Sequence, residues 1–430
     1  MDEWLTAAAR RRPEHLALDH RGGRLTYAQL DAAADRTARI LAARGVAEGS
    51  LVSTTLGPGA AFVELLHALP RLGAVLVPLN AAGPVRVDAV LNVEAPLDGP
   101  EADVSLRRTV DPDSVHSIIH TSGTSGRPRT VELSYANHHA SASASAEHLG
   151  VEENDRWLGV LPLFHVGGLA VLLRSAIYAT TAVLHERFDP ARVRQALAAG
   201  DVTLASLVPT MLARVRAAGL ERGSPALRAI LLGGGPIPGE LLGWALAAGL
   251  PVSPTYGMTE TASQVVTAAP GERAGVPLPG VELKIGNDGE ILVRGPMVAR
   301  AALGTDGWLH TGDRGHIDAE GRLHVAGRLK EIIVTGGENV SPVEVEEALL
   351  SHPAVIDAGV AGIPDPDWGE AITAFVVLAG DASGEELRDW ARERLAPHKV
   401  PKRVEPMAEL PRNAAGKLLR SRLAGSDPSA

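Results

Sequence analysis

The 430-residue chain contains no cysteine. Disulfides, thiolate metal sites and a catalytic protein thiol are thereby excluded, and any sulfur chemistry has to use an external thiol. No stretch approaches 18 uncharged apolar residues, and the N-terminus MDEWLTAAARRRPEHLALDH is acidic first and lacks a continuous apolar core. Neither a membrane span nor a secretory leader is expected, and the reading is a cytoplasmic protein. No Lys/Arg-rich run stands out and the formal net charge is −10, so nucleic acid is not an expected partner. Aromatic residues are scarce at 3%, which with abundant Ala, Arg and Gly reflects coding bias and decides nothing about chemistry. Neither a Walker A sequence nor a G-x-G-x-x-G fingerprint opening a helix occurs.

What remains is globular: 45% apolar and 21% charged residues. At about 150 residues per domain the length predicts two or three units. Helical and strand patterns alternate, the mark of α/β architecture with largely parallel sheets. Thr26 and Gln29 have capping-box spacing ahead of a helix carrying Leu30, Ala34, Ala38 and Leu41, which Gly45 can close. AVLVPL, SIIH, WLGVLPLF, AILL and ILVRG read as buried strands followed by turns, where a parallel sheet places functional loops. ASASASA near residues 140–146 reads as helix rather than linker. From about residue 328 a fresh unit begins: IIVTGGENV gives a strand and a glycine turn, and Ser341, Pro342 and Glu344 supply N-cap, N1 and N3 of a helix. Ser383 and Glu386 open another, so the last hundred residues form a small α+β domain.

Five segments carry candidate chemistry. HTSGTSGRPRT, residues 120–130, is a small-residue loop whose backbone amides and hydroxyls can surround phosphate oxygens, or an ordinary turn. In SPTYGMTETASQ, residues 253–264, Tyr256 can cover a purine, Thr259 can bond a phosphate and Glu260 can hold Mg²⁺; the plainer reading is a capped helix start. GWLHTGDRGHID places Asp313 in a glycine turn, able to accept ribose hydroxyls or to close an Asx-turn. GRLKEIIVTGGENVSP puts Arg328 and Lys330 at the domain boundary, where charges also simply solvate a linker. LPRNAAGKLLR ends in Lys417, a mobile point charge for a reacting oxygen, or a surface lysine.

In this order and at these separations the five segments resemble the adenylate-forming superfamily of acyl-CoA synthetases, luciferases and peptide-synthetase adenylation domains, from LTYAQLDAAADRTARILAARG near residue 25 to Lys417. The resemblance implies a large N-terminal domain, residues 1–327, with two sheets and a distorted β-barrel, and a small mobile α+β lid, residues 328–430. It implies ATP, Mg²⁺ and coenzyme A as small-molecule partners of a carboxylic acid, and leaves homo-oligomerisation open. By position, Thr121, Ser122, Gly123, Thr124, Ser125 and Gly126 match the phosphate loop. Gly233, Gly234, Gly235, Tyr256, Thr259, Glu260, Asp313 and Arg328 match the nucleotide site, Lys417 the adenylation lysine, Lys330 the hinge, and Gly336 with Gly337 the coenzyme A path.

Two features depart from the family. The loop ends Pro128, Arg129, Thr130 where Pro-Lys-Gly is usual, and AAGPVRVDAVLNVEAPLDGP is irregular and short, so part of the N-terminal subdomain is trimmed. Residues 137–211, with NHHASA, DRWLGVLPLFHVGGLAVLLRSAIYATTAVLHERFD and VTLASLVPTML, together with SQVVTAAP, resemble the 2-succinylbenzoate–CoA ligase branch of menaquinone biosynthesis. His165 then matches a gate beside the acyl site, its alternative being a satisfied loop histidine. Arg174 and Ser263 are candidates for a second substrate carboxylate; otherwise Arg174 pairs with an internal Asp or Glu or reaches the surface. The competing readings are a ligase for another aryl or dicarboxylic acid, and an inactive nucleotide-binding homologue.

Overall fold

The computed structural model describes residues 1–83, 85, 87–121, 129–412 and 418–423. Its largest sheet has nine strands. Leu16–His20, Thr181–Leu184, Arg156–Gly159, Leu204–Leu207, Ala229–Leu232 and Val252–Met258 lie side by side and parallel. Gly23–Thr26 closes one edge antiparallel, and Ser263–Thr267 followed by Val276–Pro277 closes the other. Every residue of Leu204–Leu207 and Ala229–Leu232 is buried. This is why these strands read as unbroken apolar runs: helices cover both faces of a parallel sheet.

A second, five-stranded sheet runs Leu91–Val93, Leu51–Thr54, Val75–Pro78, Val115–Thr121, Arg129–Ser134. Only the last pair is antiparallel, and its two strands flank the small-residue segment in sequence. One core that includes Tyr27, Leu41, Phe62, Leu65, Ile119, Leu169 and Leu173 connects both sheets. The helix Tyr27–Ala43 opens with the expected capping box, Thr26 and Gln29 each accepting the other's backbone N–H, and Gly45 follows it at φ +88°. Residues 94–114 form neither helix nor strand beyond an isolated bridge at Thr109. They are fastened to the surface by Arg107 on Glu48 and Arg108 on Asp35.

The expected barrel takes the form of an open antiparallel sheet, Glu282–Ile285, Glu290–Arg294, Leu309–Ile317 and Leu323–Arg328, with Ile291, Val293 and Met297 sharing a core with Val265 and Val266 of the large sheet. ILVRG belongs here, a correction to its reading as a parallel strand, because a half-covered antiparallel strand with an apolar centre looks the same in sequence.

The C-terminal sheet comprises Glu338–Val340, Ile333–Thr335, Gly369–Leu378 and Val355–Asp365, with Arg403–Pro406 also on Gly369–Leu378. It encloses its own core, including Ile333, Val345, Leu349, Ile372 and Leu387. Gly336 and Gly337, at φ +57° and +82°, form the two-residue turn between Ile333–Thr335 and Glu338–Val340, a backbone that side chains resist. Ser341 does stand at the N-cap of Pro342–Leu350, but its hydroxyl donates to the Ala326 carbonyl and caps nothing. Glu344 instead pairs with Lys399 at 2.6 Å.

Candidate active site

Tyr256, Asp313 and Arg328, expected at a nucleotide site, gather where Val252–Met258 meets the antiparallel sheet. Tyr256 donates its hydroxyl to Asp313 Oδ2 at 2.8 Å, and Arg328 Nε lies 2.8 Å from Asp313 Oδ1. Asp313 and Arg328 are cross-strand partners, so register sets their pairing. Asp313 is not in a tight turn: it lies inside Leu309–Ile317, past Gly312 at φ +70°, where the strand shifts register. Thr311 Oγ1 accepts from the Asp313 backbone N–H at 3.1 Å and Arg328 Nη1 donates to the Thr311 carbonyl, so the backbone of Asp313 and the guanidinium that faces its carboxylate are both fixed by Thr311. Burial foremost, then the Asp313 charge, pushes the Tyr256 phenol up, so it remains a donor.

Gly233 follows the parallel strand Ala229–Leu232, and a Cβ there would stand 2.6 Å from the Thr255 carbonyl. The glycine run can therefore approach the Tyr256 strand closely. Gly234 takes φ +80°, and Gly234 and Gly235 are exposed.

Thr259 and Glu260 stand in one 3₁₀ turn, Thr259–Thr261, not at the start of a longer helix. The chain cannot continue helically because Ala262 (φ +48°) and Ser263 (φ +104°) reverse it into the next strand. Two strained non-glycine residues in succession mark an over-determined loop. Gly257 makes the reversal possible: a Cβ there would sit 1.7 Å from the Ser263 carbonyl. The Glu260 backbone carbonyl accepts from Ala299, while its carboxylate has no hydrogen bond or ion pair among the described residues. A free carboxylate suits Mg²⁺, which binds through one or two carboxylates plus phosphate oxygens and keeps several waters. Among the described residues no cluster of three or more His, Asp or Glu could hold a metal by itself.

Of the residues expected on the acid side, His165 precedes helix Val166–Tyr178, its ring 4.6 Å from Phe164. Among the described residues its Nε2 is buried without a partner, and burial lowers its pKa, so it is not the satisfied histidine of the alternative reading. Further along that helix, Arg174 is buried, contacting neither solvent nor any carboxylate within ion-pair distance among the described residues. Both conventional explanations for it therefore fail. It donates instead to Gln264 Oε1 at 2.6 Å and Ser141 Oγ at 3.1 Å, and its guanidinium carbon lies 5.7 Å from the Trp157 ring centroid. Gln264 and Ser141 were not singled out from sequence. A polar residue at a buried position of SQVVT was the available signal.

Lys330 is exposed in the 3₁₀ turn Leu329–Glu331 between the two C-terminal sheets. Thr121 ends its strand opposite Arg129, its hydroxyl 3.4 Å from the Arg129 carbonyl. Ser122, Gly123, Thr124, Ser125, Gly126 and Lys417 lie outside the described residues. No helix among the described residues is long and apolar enough to cross a membrane.

Comparison with known proteins agrees with this geometry. The AMP-binding enzyme model matches residues 5–93 and 84–301, and the AMP-binding enzyme C-terminal domain model matches 344–417. The first match breaks where the sequence is short and irregular. A 2-succinylbenzoate–CoA ligase of Geobacillus kaustophilus is 42% identical over 476 aligned positions, 98% of this chain and 97% of that protein. The alignment exceeds the 430 residues present, so the relative carries segments this chain lacks. Structures of o-succinylbenzoate CoA synthetase from Bacillus subtilis are 37% identical and covered over 98% of both chains in two complexes: with the acyl-adenylate OSB-AMP the TM-score is 0.90, and a double mutant with the product analogue OSB-NCoA gives 0.72. The same enzyme with ATP and magnesium gives 0.89. This chain belongs to the AMP-binding, adenylate-forming enzyme family.

Proposed function

We propose that the chain is an ATP-dependent acid–CoA ligase acting on 2-succinylbenzoate, in menaquinone biosynthesis. One carboxylate oxygen of the acid attacks the α-phosphorus of ATP and pyrophosphate leaves; the coenzyme A thiolate then attacks the acyl carbon and AMP leaves. Both ligases compared above carry this acid in their names, which supports the substrate class.

In the first step Asp313, steadied by Tyr256 and Arg328, holds the ribose; Thr259, Thr121 and Ser122–Gly126 bind phosphates; Gly233–Gly235 line the adenine. Glu260 would hold Mg²⁺, which supplies charge neutralisation as pyrophosphate departs. Lys417 stabilises the same developing charge, and loss of one such preorganised donor costs about 10²–10³ in rate. For the second step, residues 328–430 turn about Lys330 against residues 1–327, withdrawing Lys417 and bringing Gly336 and Gly337 to the coenzyme A path. One relative scoring 0.90 in its adenylate complex and 0.72 in its product-analogue complex, at equal coverage, supports two arrangements of one fold.

The observation that carries the choice of acid is Arg174, a buried cation without an anionic partner among the described residues. 2-Succinylbenzoate has a second carboxylate, and a desolvated guanidinium beside the acyl pocket is complementary to it, with Ser263 assisting directly or through water. The test is thioester formation from a panel of acids. Arg174→Ala should raise KM for 2-succinylbenzoate by an amount on the order of 2–5 kcal/mol and leave KM for ATP unchanged. Equal loss toward both substrates would remove this role.

A further inference from the structure

A buried charge is normally neutralised by a carboxylate, since isolation in a low-dielectric interior costs far more than a hydrogen bond returns. Arg174 is surrounded by neutral groups. Gln264 and Ser141 receive its two hydrogen bonds, and the Trp157 ring lies beside it. Tyr178 spends its hydroxyl proton on the Ala142 carbonyl at 2.5 Å. Burial, and then the charge on Arg174 itself, push His138 down to about 3, which leaves that imidazole neutral.

Gln264 is the member of this shell whose chemistry differs least from a counter-ion. Its orientation is fixed by the strands around it. Nε2 donates to Thr267 Oγ1 at 3.0 Å and to Thr255 Oγ1 at 3.2 Å, and Thr255 spends its own proton on the Val266 carbonyl. Only Oε1 is left to face Arg174, and it does so at 2.6 Å. A glutamate would occupy this place with almost no change in shape and would neutralise the guanidinium outright. The amide instead holds Arg174 by a dipole, fixing its direction without cancelling its charge. Ser141 completes the arrangement: its hydroxyl donates to the Ala262 carbonyl at 2.8 Å, joining the cation to the strained loop that follows Glu260.

We propose that Gln264 is a specificity-determining residue that orients Arg174 while leaving its charge available to the second carboxylate of the acid, so that the enzyme prefers a dicarboxylate to its monocarboxylate analogue. This rests on the role given to Arg174 above. The experiment compares 2-succinylbenzoate with 4-oxo-4-phenylbutanoate, which lacks the ring carboxylate, in the full-length wild type, Gln264→Glu, Gln264→Met and Arg174→Ala. Gln264→Glu should lower the ratio of kcat/KM values, dicarboxylate over monocarboxylate, by about 10²-fold, through KM, with KM for ATP unmoved. Gln264→Met, which removes the guiding amide without adding a charge, should lower the ratio by a smaller factor, about tenfold. A purely structural residue would weaken turnover of both acids alike in each variant, and that result overturns the proposal. A ratio that falls in Arg174→Ala but persists in Gln264→Glu overturns the role of Gln264 alone. A ratio unchanged in Arg174→Ala overturns the carboxylate site itself. If Gln264→Glu does not fold, Gln264→Met still decides: an unchanged ratio there means the amide orients nothing, and the role of Gln264 is overturned.

Discussion

Asp313 has each carboxylate oxygen engaged by a different donor, Arg328 Nε on one and Tyr256 Oη on the other. The sequence marked Tyr256 for its ring alone; its hydroxyl acquires a purpose only because a register-shifted strand brings Asp313 to it. Tyr256→Phe keeps the ring, so its expected effect is confined to the ribose: kcat/KM for ATP falls about tenfold, the worth of one charge-assisted hydrogen bond. Discrimination against 2′-deoxy-ATP should narrow as well, and steady-state kinetics with both nucleotides checks this. Gly257 is a second residue whose reason is spatial. Gly257→Ala forces a methyl into the Ser263 carbonyl. The Thr259–Thr261 turn should then shift, and acid-dependent ATP–pyrophosphate exchange fall by 10²-fold or so, about one preorganised group. Retention of normal exchange would mean the loop has room that the close approach denies.

Elements are held by sequence-local devices where these are free of competition. Thr26 and Gln29 make their capping box as their spacing dictates; Ser341, with equally good local credentials, is drawn away by the Ala326 carbonyl. The first helix, Trp4–Arg11, shows a device absent from any cap pattern read in the sequence. Glu3 accepts from the Leu5 and Thr6 backbone N–H groups and lies 3.5 Å from His67 and 3.4 Å from the buried Arg71. Burial would raise the Glu3 carboxyl, but His67 and Arg71 outweigh it and hold it at about 2. The folded-state value lies below the unfolded one, so the stabilisation is present above about 4.5 and is lost as pH falls toward 2. Its size is on the order of 3 kcal/mol. Glu3→Gln should therefore lower Tm at pH 7 and flatten the pH dependence of Tm between these limits, as thermal melts across pH would register.

Across the whole molecule, the small C-terminal unit is fastened beside the proposed pivot. Arg420 binds Glu331, next to Lys330, and Glu346, each at 2.7 Å, and donates to the Val360 carbonyl. The segment just after Lys417 is thereby tied to the residue just after Lys330, which suits motion as one body. Lys330→Pro should block thioester formation from supplied acyl-adenylate while adenylate formation persists, since proline fixes φ at the pivot. Lys417→Ala should do the reverse, losing adenylation by about 10²–10³ and sparing coenzyme A attack. Separate assays of the two half-reactions decide both, and a variant that damages the halves equally has been given the wrong role.

The family, the α/β class and the order of the motifs were determined by the sequence, because they follow from local turn chemistry, apolar periodicity and residue types at fixed spacing. The family model matches in two pieces that overlap at residues 84–93, within the stretch after Pro78 that reads as short and irregular. Three things were decided only by tertiary structure. ILVRG joined an antiparallel sheet, since strand direction depends on partners far away in the chain. Asp313 met Tyr256 through a shift in register. Arg174 proved to have no counter-ion among the described residues, because burial and the neutrality of Gln264, Ser141 and Trp157 around it are properties of packing among elements up to 123 residues apart in sequence number, from Ser141 to Gln264.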